Sequence, residues 1–110
     1  MKTGDIVLIP FPFSELTNIK IRPACVIGTT NDKYKDLIVS AISSVVPESL
    51  NPNEILLNPT SLNKLKVSSI LKVDRIVTLK SQDKIADLGC LSETEKLNFI
   101  QLFRNIANEK

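Results

Sequence analysis

Short apolar runs bounded by turn-forming residues dominate this chain. They are Ile6-Val7-Leu8-Ile9, Ala24-Cys25-Val26-Ile27, Leu37-Ile38-Val39, Ile55-Leu56-Leu57 and Ile76-Val77. Runs this short read as strands more than helices. They predict strands over Asp5–Pro10, Ala24–Thr29, Leu37–Ser43, Glu54–Leu57 and Arg75–Thr78, with a further extended piece at Ser69–Leu71. Asn31-Asp32-Lys33 reads as the turn of a hairpin joining two of them. Pro47, Pro52 and Pro59 cut the middle of the chain into turns, and Thr60–Leu65 reads as one or two helical turns.

The C-terminal segment has a different period. Ser92-Glu93-Thr94-Glu95 is a capping-box sequence, in which the Ser hydroxyl accepts from the Glu95 amide and the Glu95 carboxylate reaches back. Leu97, Ile100, Phe103 and Ala107 then recur at helical spacing, and Phe99, Leu102 and Ile106 widen the apolar face. That pattern predicts a well-buried helix. Asp83–Leu88 reads as a short helical turn ended by Gly89. Several strands followed by one helix predict a mainly β, α+β fold: a small, strongly bent sheet or barrel with the helix packed across it.

With 110 residues the chain fits one domain, 1–110, around a single core. An apolar fraction of 43% and a charged fraction of 24% are ordinary for a soluble globular protein. A net charge of +2 means that any nucleic-acid site must be a local patch. Cys25 and Cys90 lack metal-ligand spacing, and Cys25 sits in an apolar run as a small hydrophobe. No signal peptide or membrane-length apolar stretch is present, so a cytoplasmic protein is expected. The chain has no histidine, which removes His-based acid–base pairs, Ser-His and Cys-His nucleophiles and the commonest zinc ligand. Any chemistry falls to Arg, Lys, Ser, Thr, Tyr or carboxylates.

One dipeptide stands out. Arg22-Pro23 follows the polar loop Ser14–Lys20 and leads into Ala24-Cys25-Val26-Ile27. A permanently charged guanidinium with a planar fork of donors suits phosphate. Pro23 fixes its own φ and restricts Arg22, so the Arg leaves a stiffened chain. On composition alone, a surface Arg flanking a strand explains the same residues.

The segment as a whole resembles the MazF/PemK family of toxin endoribonucleases from toxin–antitoxin modules. The resemblance rests on Gly4-Asp5-Ile6-Val7-Leu8, Phe11-Pro12-Phe13 and Lys20-Ile21-Arg22-Pro23-Ala24-Cys25-Val26-Ile27. It continues, in the family's order, through Ile38–Ser44 and Ser69–Leu79. It implies an SH3-like barrel with helices, and metal-independent, cofactor-free cleavage of single-stranded mRNA by attack of a 2′-hydroxyl on the adjacent phosphate. It also implies a homodimer and a cognate antitoxin whose disordered segment folds over the RNA groove.

Arg22 matches the catalytic Arg of the family's Arg-Pro motif. Ser43 falls where the family carries Thr or Ser near that Arg, although a strand-end Ser often only bonds its own turn. Ser44 points to the opposite face by alternation and takes the role if the register shifts by one. Phe13, Ser14, Glu15 and Lys20 around the loop, together with Ser44, are candidate RNA contacts, with Glu15 also a candidate base. Phe11 reads as a core residue or a stacking surface, and Lys72 and Arg75 read as a solvated strand edge. The loop Ser14–Ile19 is shorter than the family's and has no Gly. Two other functions stay open: a CcdB-like toxin that poisons gyrase through C-terminal residues, and an inactive SH3-like binding module.

Overall fold

The computed structural model describes residues 1–12 and 19–108. Its strands are β1 (Asp5–Pro12), β2 (Ile19–Thr29), β3 (Leu37–Ser43), β4 (Glu54–Leu57), β5 (Ser69–Leu79) and β6 (Ala86–Cys90), followed by helix α1 (Glu93–Ile106). The strands form one curled antiparallel sheet in the order β4-β5-β3-β2-β1-β6. The mainly β fold with a C-terminal helix expected from the sequence is thus present.

The apolar runs of β1, β2 and β3 are nearly unbroken because these strands are buried on both faces. Ile6, Cys25, Ile42, Leu71 and Val73 join Ile55, Leu57 and Phe99 in one cluster. Val7, Ile9, Ala24, Val26, Leu37 and Val39 form a second. Neighbours Ile6 and Val7, or Ala24 and Cys25, therefore enter different clusters, as strand alternation requires. The single core read from chain length is two.

The edges of the sheet are joined by the segment after β4. Asn63 is fully buried, and its side-chain oxygen accepts from the amides of Thr60 (3.0 Å) and Leu65 (2.9 Å). Its side-chain nitrogen donates to the Asn58 carbonyl at 2.9 Å. This internal bracing surrounds a single helical turn, the lower of the one or two expected over Thr60–Leu65. A single Lys64-to-Thr60 bond forms, and Lys64 then turns left-handed at φ 57°. The Cys90 amide donates to the Leu62 carbonyl at 3.1 Å, which ties this segment to β6. Gly89 lies directly against it, where a Cβ would collide with the Leu62 carbonyl oxygen.

Residues 86–90 therefore form a strand, not the expected helical turn. Only a 3₁₀ turn at Ser81–Asp83 precedes it, and Gly89 serves close backbone approach instead of ending a helix. The hairpin at residues 30–36 forms as expected, with the Asp32 carboxylate accepting from the Thr30 hydroxyl and the amides of Tyr34 and Lys35. Those bonds, the Thr30 hydroxyl first, hold the Asp32 carboxyl below its ordinary range.

Helix α1 carries the expected capping box: Ser92 Oγ accepts from the Glu95 amide at 3.2 Å, and Glu95 Oε1 from the Ser92 amide at 2.9 Å. Its buried face differs from the expected one. Phe99 is buried and Leu102 packs beside it, whereas Leu97 is 66% exposed and Phe103 and Ile106 are also exposed. The strong 97-100-103 spacing marks a half-solvated flank, because α1 meets the sheet along Phe99 and Leu102. Among the described residues no helix is long and apolar enough to cross a membrane.

Candidate active site

β2 begins at Ile19, so Arg22 and Pro23 lie within a strand and not at the loop boundary that the sequence indicates. Arg22 pairs with Ile9 of β1 and Pro23 with Leu8. On the other side of β2, the ladder with β3 runs from Thr29 to the pair Ala24–Ala41 and stops. The next residue, Pro23, has no amide hydrogen to contribute to a ladder. Two residues past that last pair, on each strand, are Arg22 and Ser43.

A pocket of about 130 Å³ occupies this position, lined by Phe11, Arg22, Ala41, Ile42, Ser43, Lys72 and Arg75. Three of those residues are cationic and none is acidic. The Ser43 hydroxyl oxygen accepts from the Val45 amide at 3.1 Å, so it does bond its own turn. A hydroxyl has a second lone pair and a hydrogen to give, and that capacity is available to a pocket ligand. Phe11 both lines the pocket and packs on the second apolar cluster, so the two readings of this residue are compatible.

Ser44 opens instead on a second cleft of about 250 Å³, which Arg22 also borders. This cleft is largely apolar, built on Leu8, Pro23, Ile42, Leu65, Val67 and Leu88, with Lys64 and Lys66 beside them. Ser43 and Ser44 thus line different cavities that share Arg22 and Ile42. Lys20 is exposed, paired with Phe11, and lines neither cavity. Phe13, Ser14 and Glu15 lie outside the described residues.

Sequence reasoning missed Lys72 and Arg75. It placed them on a solvated strand edge, and Arg75 is indeed exposed, beyond Lys72 where the pairing of β4 with β5 ends, but both residues line the pocket. One signal was present: the predicted strands stop at Leu71 and resume at Arg75. That gap coincides with an irregularity in β5 that brings both cations to the pocket. Among the described residues no group of three or more His, Cys, Asp or Glu is placed to hold a metal ion. Burial, reinforced by the Asp5 carboxylate, raises the Cys25 thiol far above its ordinary range, so it is inert packing.

A curled antiparallel sheet followed by one C-terminal helix is the fold of a class of small toxins. Residues 2–104 match the model of the PemK-like, MazF-like toxins of type II toxin–antitoxin systems, and the chain belongs to that family. Among solved structures it is similar to the Mycobacterium tuberculosis toxin MazF-mt6. The TM-score is 0.67 and the identity 16%, over 92% of this chain and 93% of that one. At that identity the likeness is one of fold. No curated protein matches the chain by sequence.

Proposed function

We propose that this toxin is an endoribonuclease that cuts single-stranded mRNA in the cytoplasm without a metal ion. The observation that carries the reading is the meeting of Arg22 and Ser43 in one cationic pocket with Lys72 and Arg75. In the reaction, the 2′-oxygen bonds to phosphorus, the bond from phosphorus to the 5′-oxygen breaks, and the products are a 2′,3′-cyclic phosphate and a 5′-hydroxyl. Negative charge grows on the two non-bridging oxygens as the five-coordinate state forms. The Arg22 fork holds those oxygens and stabilises that charge. Ser43 donates to the phosphate and orients it, its oxygen already fixed by the Val45 amide. The 2′-hydroxyl proton and the proton gained by the 5′-oxygen are exchanged with groups beyond this pair, among which Glu15 is the candidate base.

A type II toxin has an antitoxin partner. In this proposal an acidic or amphipathic antitoxin segment folds over the groove and competes with RNA for Arg22, and the toxin acts as a homodimer. The exposed flank of α1, with Leu97, Phe103 and Ile106, supports a second reading, gyrase poisoning through C-terminal contacts. One experiment separates the two. Purified protein is incubated with a long RNA in excess EDTA beside Arg22→Ala, and cuts are mapped by primer extension. Discrete cuts by wild type alone are expected. No cutting on several RNAs would exclude the nuclease.

A further inference from the structure

We propose that Arg75 is a second phosphate-binding residue of this site, set in place by a bulge in β5 that the buried hydroxyl of Ser40 pins. The inference rests on the endoribonuclease reading and adds a residue that binds the RNA chain next to the reacting phosphate.

The register of β3 against β5 carries the argument. Ser40 pairs with Ile76, and its neighbour Ala41 pairs with Lys72. Val73, Asp74 and Arg75 therefore have no partner on β3. In a regular strand, residues three apart face opposite sides of the sheet, so Lys72 and Arg75 would be separated by it. The bulge cancels that alternation, and both line the pocket with Arg22 and Ser43. Bulges of this kind re-aim side chains beside active sites.

The irregularity is fastened from several directions. Ser40, fully buried, donates its hydroxyl to the Val73 carbonyl at 2.9 Å. The Val73 amide donates to the Asn53 carbonyl at 2.9 Å, and the Val73 side chain is wholly inside the main apolar cluster. Asp74 is held by the Asn53 side chain at 3.2 Å, and it is not among the pocket residues. Arg75, next along, stays exposed.

The charge count points to the ligand. One phosphodiester carries a single negative charge, whereas Arg22 is joined in this pocket by two further cations, Lys72 and Arg75, with no carboxylate among its described lining residues. A run of consecutive phosphates satisfies that surplus, and a flexible single strand can bend to present them. With Arg22 on the reacting phosphate, Arg75 holds a neighbour. Its work is binding, and Ser40 is a positioning residue that acts through it.

The test uses the full chain, an RNA oligonucleotide containing a mapped cut site, and the same oligonucleotide with 2′-deoxyribose at that site to measure binding without cleavage. For Arg75→Ala we expect KM and the dissociation constant to rise about tenfold, as loss of one charged hydrogen bond does, with kcat changed less than threefold. The slope of log affinity against log salt should fall by about 0.7, the loss of one single-strand phosphate contact. Arg75→Lys should restore the slope. Ser40→Ala should weaken binding in wild type and add nothing in the Arg75→Ala background, whereas a merely structural role would give additive losses. Cleavage by wild type with a salt slope that Arg75→Ala leaves unchanged overturns this inference alone. A wild type that neither cuts nor binds RNA overturns the nuclease reading and this inference together.

Discussion

Arg22 and Ser43 each lie two residues beyond the last pair of the β2–β3 ladder, Ala24 with Ala41, and they share the pocket at that point. Continued pairing would put the two residues opposite one another. The ladder's end leaves instead the pocket of about 130 Å³. Pro23, the first residue after the last pair, is as much a part of the site as the side chains that line it.

Arg22→Ala is therefore expected to lower single-turnover RNA cleavage about 10²–10³-fold, the usual loss when one donor to a developing oxyanion is removed. Ser43→Ala should cost more in kcat than Ser44→Ala, because only Ser43 lines the pocket with Lys72 and Arg75, whereas Ser44 opens on the largely apolar cleft. Single-turnover rates on one RNA, with melting temperatures as a check on folding, decide both. A larger loss from Ser44→Ala would move the reaction to the apolar cleft.

The seam between β4 and β6 should be sensitive to changes too small to matter on a surface. Asn63→Ala removes a side chain that makes three hydrogen bonds from a fully buried position. Leaving buried partners unpaired there should cost about 2–4 kcal/mol. Gly89→Ala, which drives a methyl into backbone at Leu62 and Asn63, should cost about 1–3 kcal/mol or more. Urea denaturation midpoints measure both, and a Gly89→Ala protein of unchanged stability would contradict the closure described here.

Much of this architecture was legible because strand runs and the capping box are local patterns. Ile6–Ile9, Ala24–Ile27 and Leu37–Val39 declared themselves through unbroken apolar stretches, and Ser92–Glu95 through a four-residue motif. β6 did not, because Ala86-Asp87-Leu88-Gly89-Cys90 lacks β-branched residues and owes its extended form to pairing with β1. Arg22 and Ser43 were visible through the family's motifs. Lys72 and Arg75 were not, since only an interruption of strand alternation, fixed by the distant Ser40, brings them to the same pocket.

The helix gives a comparison of two apolar residues on opposite sides, Phe99 facing the sheet and Leu97 facing solvent. Phe99→Ala should cost about 3–5 kcal/mol, because Phe99 is 1% exposed in the main cluster. Leu97→Ser should stay within about 0.5 kcal/mol. Similar losses for both would mean that Leu97 is covered by a partner, a second copy of the chain being the first to test by sedimentation.

Thiol chemistry offers a further measurement. Cys25 and Cys90 are both free; Cys25 is buried and Cys90 half-buried. Native protein should react with a thiol reagent at Cys90 alone, and at both once unfolded. Burial raises the Cys25 thiol above its ordinary value of 9.0. Above that pH the unfolded chain releases a proton that the native chain keeps, so stability should fall as pH rises through 9. Below it, this thiol contributes no pH dependence. A Cys25→Ala protein should lose that alkaline decline.

The pairing of β1 with β6 has a consequence in time. In synthesis β1 waits for β6 before its outer edge is satisfied, with Asp5 opposite Cys90 and the Leu91 amide on the Gly4 carbonyl. Contacts so distant in sequence form late and slowly. A nascent chain that has reached β5 already carries Arg22, Ser43 and Arg75, yet it lacks the strand and helix that close the sheet.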